Sequence, residues 1–394
     1  DQDTPGVHEL WSVPITGGVS PVKLNPPLGW CCFGGFVISP DSSRVVFMAP
    51  LASPTVNEVY SVPIAGGAAT KLNGTLVANG TVVDFRVSPN GVRVIYRADQ
   101  VTDGVPELFS VPIAGGAFTR LNGNLVAGGA VIGMDFSPDS SRVVFRADQN
   151  IDDQVELFEN LAAGGSPVTL NGTLPPGGYV LDFAITPDSA TVVYRAEQDT
   201  DNVIELYSVP IGTGPRIKIN GPLVAGGNVQ SYVIAPNLGA VTYQADQEVD
   251  TRVELYTGSV SGGTAQKINQ PLAAGQHIGG RLDYVMNYRV GSLFFKYDVV
   301  YYTYGLGDAP LAAYSVGFTG TDIFQTQLTG PELLYDGSSN QITADGTRLV
   351  TLSAGLDVYS TAIVADMDQD GVQNACDLCP FTSTAGQPNA DGDG

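Results

Sequence analysis

Apolar and polar residues alternate with period two through most of the chain, in short runs broken by Gly, Pro, Asp and Asn. From Val131, the runs "VIGMDFS", "RVVFRAD", "VELFENL" and "PVTLNG" put β-branched and aromatic residues at alternate positions. That pattern fits pleated strands and gives no amphipathic helical face. The runs also recur. "ELWSVPITGG" at Glu9 returns as "EVYSVPIAGG" at Glu58, "ELFSVPIAGG" at Glu107, "ELFENLAAGG" at Glu156, "ELYSVPIGTG" at Glu205 and "ELYTGSVSGG" at Glu254, each 49 residues after the last. A second marker keeps the step: "SPDSSRVVF" from Ser39, "SPNGVRVIY" from Ser88, "SPDSSRVVF" from Ser137, "TPDSATVVY" from Thr186 and "APNLGAVTY" from Ala235. The "SPDS" and "AGG" segments carry turn chemistry, proline fixing φ and Asp or Gly accommodating tight geometry. Four short strands at such a period predict an all-β fold, a β-propeller of four-stranded blades.

With those markers in place, the units resemble TolB-type propeller repeats, in which an S-P-D-G segment joins the first and second strands. The resemblance spans residues 9–363, is clear in five units and fades after Gly280. A sixth blade from Leu282 to Gln327 has a longer, tyrosine-rich middle, and "NQITADGTRLVTLSAGLDVYSTAI" from Asn340 supplies strands of a seventh. Residues 1–363 are therefore expected to form a seven-bladed propeller, with residues 364–394 as a separate tail. "DQDTPGVHELWSVPI" aligns with "EQDTDNVIELYSVPI" from Glu197, so the chain starts before a third strand. Its first two strands are expected to complete a blade begun by the C-terminal strands, a closure that removes sheet edges. "LDVYSTAI" also reads as a third strand. It is either the outer strand of that blade or a spare one that pairs with a neighbouring molecule.

Composition narrows the function classes. Lys plus Arg total 18 against 40 acidic residues, a formal net charge of −22, which repels phosphate polymers and speaks against nucleic acid. No apolar run reaches the length of a membrane span. No export signal is visible, and Asp1 is no initiator, so the chain reads as mature or trimmed. The two histidines, His8 and His277, lie in unrelated contexts, and no G-x-S-x-G or H-E-x-x-H occurs, so the sequence offers no catalytic motif.

Acidic runs recur between second and third strands: Asp99, Asp103 and Glu107; Asp148, Asp152, Asp153 and Glu156; Glu197, Asp199, Asp201 and Glu205; Asp246, Asp250 and Glu254. Repeat symmetry puts them on one face. They can bind calcium or a basic partner, or they can be solvated hairpin tips whose charge is met by Arg97, Arg146 and Arg195. "NGT" at Asn73, Asn79 and Asn171 matches glycosylation sequons, while "LNG" at a fixed repeat position suggests a turn role. Tyr297, Tyr301, Tyr302 and Tyr304 are either a sticky platform or half-buried strand residues.

The tail carries the most specific pattern. In "DMDQDGVQNACD", Asp366, Asp368 and Asp370 hold positions 1, 3 and 5, Gly371 position 6, Val372 position 7 with its carbonyl, Asn374 position 9 and Asp377 position 12. That spacing wraps oxygen donors around a hard cation such as Ca2+. With "CDLCP" following, the tail resembles a thrombospondin type 3 repeat, and Asn389, Asp391 and Asp393 begin a second such loop. Such repeats use disulfides. Cys376 and Cys379 are left to pair with each other, with Cys31 and Cys32, or with another chain, and a tie between the ends would suit an oxidising compartment. Together these features suggest a secreted or cell-surface binding or assembly module whose partner is protein, itself included. The alternative is a propeller enzyme or carbohydrate-binding module using a central channel or the sixth blade.

Overall fold

The computed structural model describes residue 3 and residues 7–26, 34–51, 53–235 and 239–287, with side chains as far as residue 279. Beyond these it describes the strands Lys296–Tyr304, Pro310–Thr319, Asp322–Thr329, Gln341–Ile342, Arg348–Leu352 and Val358–Ala362. The described residues contain strands and turns and no α-helix. The chain divides into two compact units, Asp1–Lys218 and Ile219–Gly394, and each sheet lies within one of them.

The first unit opens with a two-stranded hairpin, Trp11–Ser12 and Val22–Lys23, and continues with four antiparallel sheets of four strands. In the sheet from Val131 the strands are Val131–Phe136, Arg142–Ala147, Glu156–Leu161 and Val168–Thr169, the four runs picked out by their alternation. The second unit repeats this in Val229–Ile234, Ala240–Ala245, Glu254–Ser259 and Gln266–Lys267. A sheet with longer strands follows: His277–Asn287, Lys296–Tyr304, Pro310–Thr319 and Asp322–Thr329. These are meandering, blade-type sheets, and the fold class is the β-propeller type that the repeat predicts.

Period-two alternation makes both faces of each blade apolar, and in the first unit each face is shared with a neighbour. Val45, Phe47 and Ala49 pack with Leu10 and Leu24 of the hairpin, whereas Val46 and Met48 of the same strand pack with Val82, Phe85, Val94 and Tyr96 of the next sheet. The alternation continues strand by strand. Ile95 joins Val143, Phe145 and Ala147, and Val144 joins Val192, Tyr194 and Ala196. Fully burying one such side chain is worth about 1.5–3 kcal/mol, so the blade interfaces dominate the stability of this unit. Second and third strands are also joined by stacked rings at 5.4–5.6 Å, as in Tyr96–Phe109, Phe145–Phe158 and Phe47–Tyr60. Each such pair contributes about 0.5–1.5 kcal/mol beyond its burial.

The turns bear out their sequence reading. Ser39 and Ser137 hydroxyls donate to Asp41 and Asp139 at 2.5 and 2.6 Å, and accept from the amides of Arg44 and Arg142 at 2.9 Å. The tight reversal puts Ser42 and Ser140 at φ 57° and 65°. The "AGG" glycines meet two demands at once. Gly115 has φ 91°, and a Cβ there would stand 2.6 Å from Thr70 Cγ2 of the preceding sheet.

The strands near the C-terminal end keep the register of the repeat. Arg348–Leu352 pairs with Val358–Ala362 so that Arg348 faces Ala362, the register in which Arg44 faces Pro63. "LDVYSTAI" thus holds the third-strand place beside that second strand. The hairpin stays two-stranded, and Phe36 of the first four-stranded sheet is 56% exposed where its repeat equivalent Phe85 is 8% exposed. The expected boundary at residues 363 and 364 lies outside the described residues.

The Ser39 hydroxyl, with the hydroxyl and amide of Ser43, holds the Asp41 carboxyl down at about 2. Because the folded value lies below the unfolded one, this contribution is present above pH about 4 and is lost as pH falls through about 2. Asp41→Ala should therefore lower the thermal midpoint at pH 7, with the gap to the parent closing between pH about 4 and about 2. A gap that is unchanged at the acid end would show that the carboxylate charge plays no part in the turn.

Candidate functional site in the acidic hairpin loops

The loops between second and third strands share one length, because the 49-residue step is strict. Their first acids are buried: Asp99, Asp148, Glu197 and Asp246 are 5–7% exposed. The three aspartates accept backbone amides at the entry to the first strand of their own sheet. Thr81 N–H donates to Asp99 Oδ1, Ala130 N–H to Asp148 Oδ1 at 2.5 Å, and Asn228 N–H to Asp246 Oδ1 at 2.6 Å. In three loops an amide five residues on binds this acid: Gly104 on Asp99 at 3.3 Å, Asn202 on Glu197 at 3.2 Å and Thr251 on Asp246 at 3.0 Å. Gly104, Asn202 and Thr251 lie in the left-handed region (φ 60–73°), as does Asp153 in the remaining loop. The later acids, Asp103, Asp152, Asp153, Asp199, Asp201 and Asp250, are exposed. Half of the solvated-tip reading is thereby corrected. The first acid of each run is a buried latch, the closing glutamates Glu107, Glu205 and Glu254 are buried as well, and the aspartates between them reach solvent.

A glutamine follows each latch. Gln100, Gln149, Gln198 and Gln247 accept the amides of Gly74, Gly123, Gly172 and Gly221 at 2.6–3.1 Å. Tyr96, Tyr194 and Tyr243 donate their phenols to three of the same amide oxygens. The sequence reading passed over these glutamines, although their recurrence at the 49-residue step is the signal that marks them. The "LNG" asparagines are latches too. Asn73, Asn122 and Asn171 accept the amides of Val59, Leu108 and Leu157 at 2.7–2.9 Å and donate to the carbonyls of Gly74, Gly123 and Gly172. Asn73 and Asn171 are 5% and 2% exposed, so these two sequons are consumed by the fold, whereas Asn79 is exposed.

The arginines do not meet the loop acids. A β-bulge between Val82 and Asp84 turns Asp84 toward Arg97, which binds it through two nitrogens at 2.8 and 2.9 Å and donates to the Val131 and Ile132 carbonyls of the next sheet. Arg195 pairs with Asp182 in the same way. Gly133 stands in the acid's place opposite Arg146, which donates to the carbonyls of Val180 and Leu181.

The cations facing the loops come instead from the fourth strands. Lys71 pairs with Glu58 at 2.8 Å and Arg120 with Glu107 at 2.9 Å. Lys218 holds Glu205 and the loop acid Asp199 at 2.8 and 2.6 Å, and Lys267 holds Glu254 and Glu248. The sheet from Val131 has Thr169 in that place, and Glu156 accepts the Asn150 side-chain amide at 2.6 Å. In this loop, one carboxylate oxygen each from Asp148, Asp152 and Asp153 lies within 4.8 Å of the others.

The other sequence candidates fall elsewhere. Asp366, Asp368, Asp370, Val372, Asn374, Asp377, Asn389, Asp391 and Asp393, and Cys31, Cys32, Cys376 and Cys379, lie outside the described residues. The four tyrosines sit in Lys296–Tyr304, whose side chains are also outside them. His8 is exposed beside Glu9, which pairs with Lys23, and His277 opens the long-stranded sheet.

The sheets and the repeat define a class, the blade-repeat proteins of β-propeller type. No family model and no curated protein matches the chain. Among solved structures it is similar to a putative TolB from Agrobacterium tumefaciens, with 17% identity, TM-score 0.37, and 60% of this chain and 80% of that one covered. It is also similar to an oligogalacturonate lyase solved with manganese, with 14% identity, TM-score 0.44, and 82% and 87% covered. A prolyl endopeptidase is similar at 10% identity and TM-score 0.48 over 86% of this chain, which spans 53% of that one.

Asn171→Ala should remove two buried hydrogen bonds and leave the Leu157 amide without its partner, costing about 1–3 kcal/mol in a denaturant titration. A loss below about 0.5 kcal/mol would show that the asparagine is no latch.

Proposed function

We propose that this chain is an exported β-propeller-type protein that works as a binding or assembly module, with calcium ordering its thrombospondin type 3-like tail. The observation that carries this is the bare N-terminal side of the first unit. Phe36, Val37 and Ile38 are 42–56% exposed, and Val13 of the two-stranded hairpin is 57% exposed where its repeat equivalents Val62 and Val111 are fully buried. A sheet edge with exposed β-branched residues beside it is suited to accept a strand from a partner, a second copy of this chain included. Acidic exposed loop positions and a net charge of −22 suit a calcium-rich setting outside the cell. Among the described residues no helix is long and apolar enough to cross a membrane. In the tail, Asp366, Asp368, Asp370, Asn374 and Asp377, the Val372 carbonyl, and Asn389, Asp391 and Asp393 in the second loop offer only oxygen donors, the set that a hard divalent ion takes.

Two measurements test this reading. Negative-stain images of the purified protein should show polymers that depend on calcium and on protein concentration and that vanish with chelator. A strictly monomeric protein that binds in a glycan array would overturn assembly in favour of the carbohydrate-binding alternative. Limited proteolysis should release the region after residue 363 faster in chelator than in calcium. Equal rates would remove calcium from the tail.

A further inference from the structure

We infer that the sheet from Val82 holds a docking place for a tyrosine side chain of a partner protein, at the buried carboxylate of Glu107; this rests on the binding-module reading above. The inference starts from the glutamate that opens each third strand. In five of its six copies, one carboxylate oxygen takes a neutral donor. Tyr60 donates its phenol to Glu58 Oε2 at 2.6 Å, Tyr207 to Glu205 Oε2 at 2.8 Å and Tyr256 to Glu254 Oε2 at 3.4 Å. The Asn150 side-chain amide serves Glu156 Oε2 at 2.6 Å, and the Asp3 backbone amide serves Glu9 Oε2 at 2.7 Å. Glu107 is the exception, because Phe109 stands where three sisters carry tyrosine. Glu107 is 5% exposed, and its Oε2 is buried with no hydrogen-bond partner among the described residues. Such an oxygen costs about 1–3 kcal/mol until a donor meets it.

The second observation concerns the loop before this glutamate. Six residues ahead of it, the sister loops are tied down by a polar side chain. Asn150 bonds Glu156, Asp199 pairs with Lys218 at 2.6 Å, and Glu248 pairs with Lys267 at 2.7 Å. The Glu107 loop has Val101 in that place, which has no polar group to bond and is 56% exposed. A third difference lies on the fourth strand's approach. Phe118 is 43% exposed and meets Phe109 edge-on, with ring centroids 5.7 Å apart. The sister positions hold Ala69, Pro167, Arg216 and Ala265.

Two losses and a gain thus coincide in one repeat: the donor, the loop tie and an exposed aromatic ring. Together they define what fits. Arg120 already meets the charge of Glu107 through Oε1 at 2.9 Å, so a cation at Oε2 would face a guanidinium. The occupant is therefore a neutral donor. Val101 and Phe118 make its surroundings apolar, and a sugar would leave further hydroxyls unpaired against them. A phenol has one hydroxyl for the one open oxygen and a ring to pack on Phe118. It is also the group that three sister repeats supply from within. Tyrosine is a common anchor of protein interfaces, which makes a partner's side chain its source.

The test is saturation-transfer NMR on the full chain, titrated with N-acetyltyrosinamide and, separately, with N-acetylphenylalaninamide, which lacks the hydroxyl. The tyrosine amide should bind about tenfold more tightly or better, as one hydrogen bond to a charged group provides. Phe109→Tyr puts the sister phenol in the open place and should weaken that binding about tenfold. Phe118→Ala installs the residue found at Ala69 and Ala265 and should weaken it about threefold. Both variants carry sister residues, and circular dichroism confirms that they fold. Equal binding of the two amides by the parent, or binding of neither, would overturn the inference without any variant. So would a folded Phe109→Tyr that binds the tyrosine amide as the parent does. Binding of methyl glucoside that Phe109→Tyr abolishes would give the place to a sugar and overturn it as well. Calcium-dependent polymers without tyrosine selectivity would sink this inference alone, whereas selective binding by a strict monomer would sink assembly alone.

Discussion

A blade that is apolar on both faces is unstable by itself in water, and this constraint organises the first unit. Its second strands divide their residues strictly, with Val45, Phe47 and Ala49 to one neighbour and Val46 and Met48 to the other. Each inner sheet of this unit therefore depends on the one before and the one after. The energy lies in the contact between units rather than within them, as expected of repeat architectures. Where a neighbour is reduced to a hairpin the constraint is unmet, and Phe36 stands exposed.

Hydrogen bonds sharpen what burial alone leaves loose. Apolar faces can slide, whereas the asparagine, glutamine and aspartate latches join specific backbone groups. Asn171 ties the end of one fourth strand to its third strand, and Gln198 ties the same segment to the following sheet. The arginine that leaves its own strand to bind two carbonyls of the next does the same on the other side of the blade. Such fully satisfied buried networks fix the register, since any slip leaves polar groups unpaired. Charge is handled in the same repeat-by-repeat way: among the described side chains, a fourth-strand cation stands beside the third-strand acid in every sheet but the one from Val131.

Much of the fold was legible in the sequence, because a strict 49-residue step turns one reading into five. The strands and the "SPDS" turns lie where alternation and turn residues put them. The fourth strand is shorter than the run "PVTLNG", since Asn171 ends the pairing by turning its side chain to the backbone. The arginine partners were not legible. Arg97 meets Asp84 only because a bulge rotates that residue across the ladder, and a bulge leaves no trace in hydropathy. The acidic loops were legible as a class but not one by one. Asp99 and Asp103 look alike in sequence, yet one is buried and the other exposed. Motif spacing makes the tail the plainest chemical signal in the chain.

The latches also bear on how such a chain can change in length. Every one of them joins positions at a fixed offset, and many cross from one sheet to the next, as Gln149 to Gly123 or Arg97 to Val131. Inserting or deleting a whole 49-residue step anywhere in the regular region restores each partner to its place. Any other length would strand a buried amide at every junction it crosses. The molecule is in this sense quantised. Unequal recombination between its own copies yields chains whose interfaces are already correct, so the number of repeats can drift while their geometry cannot.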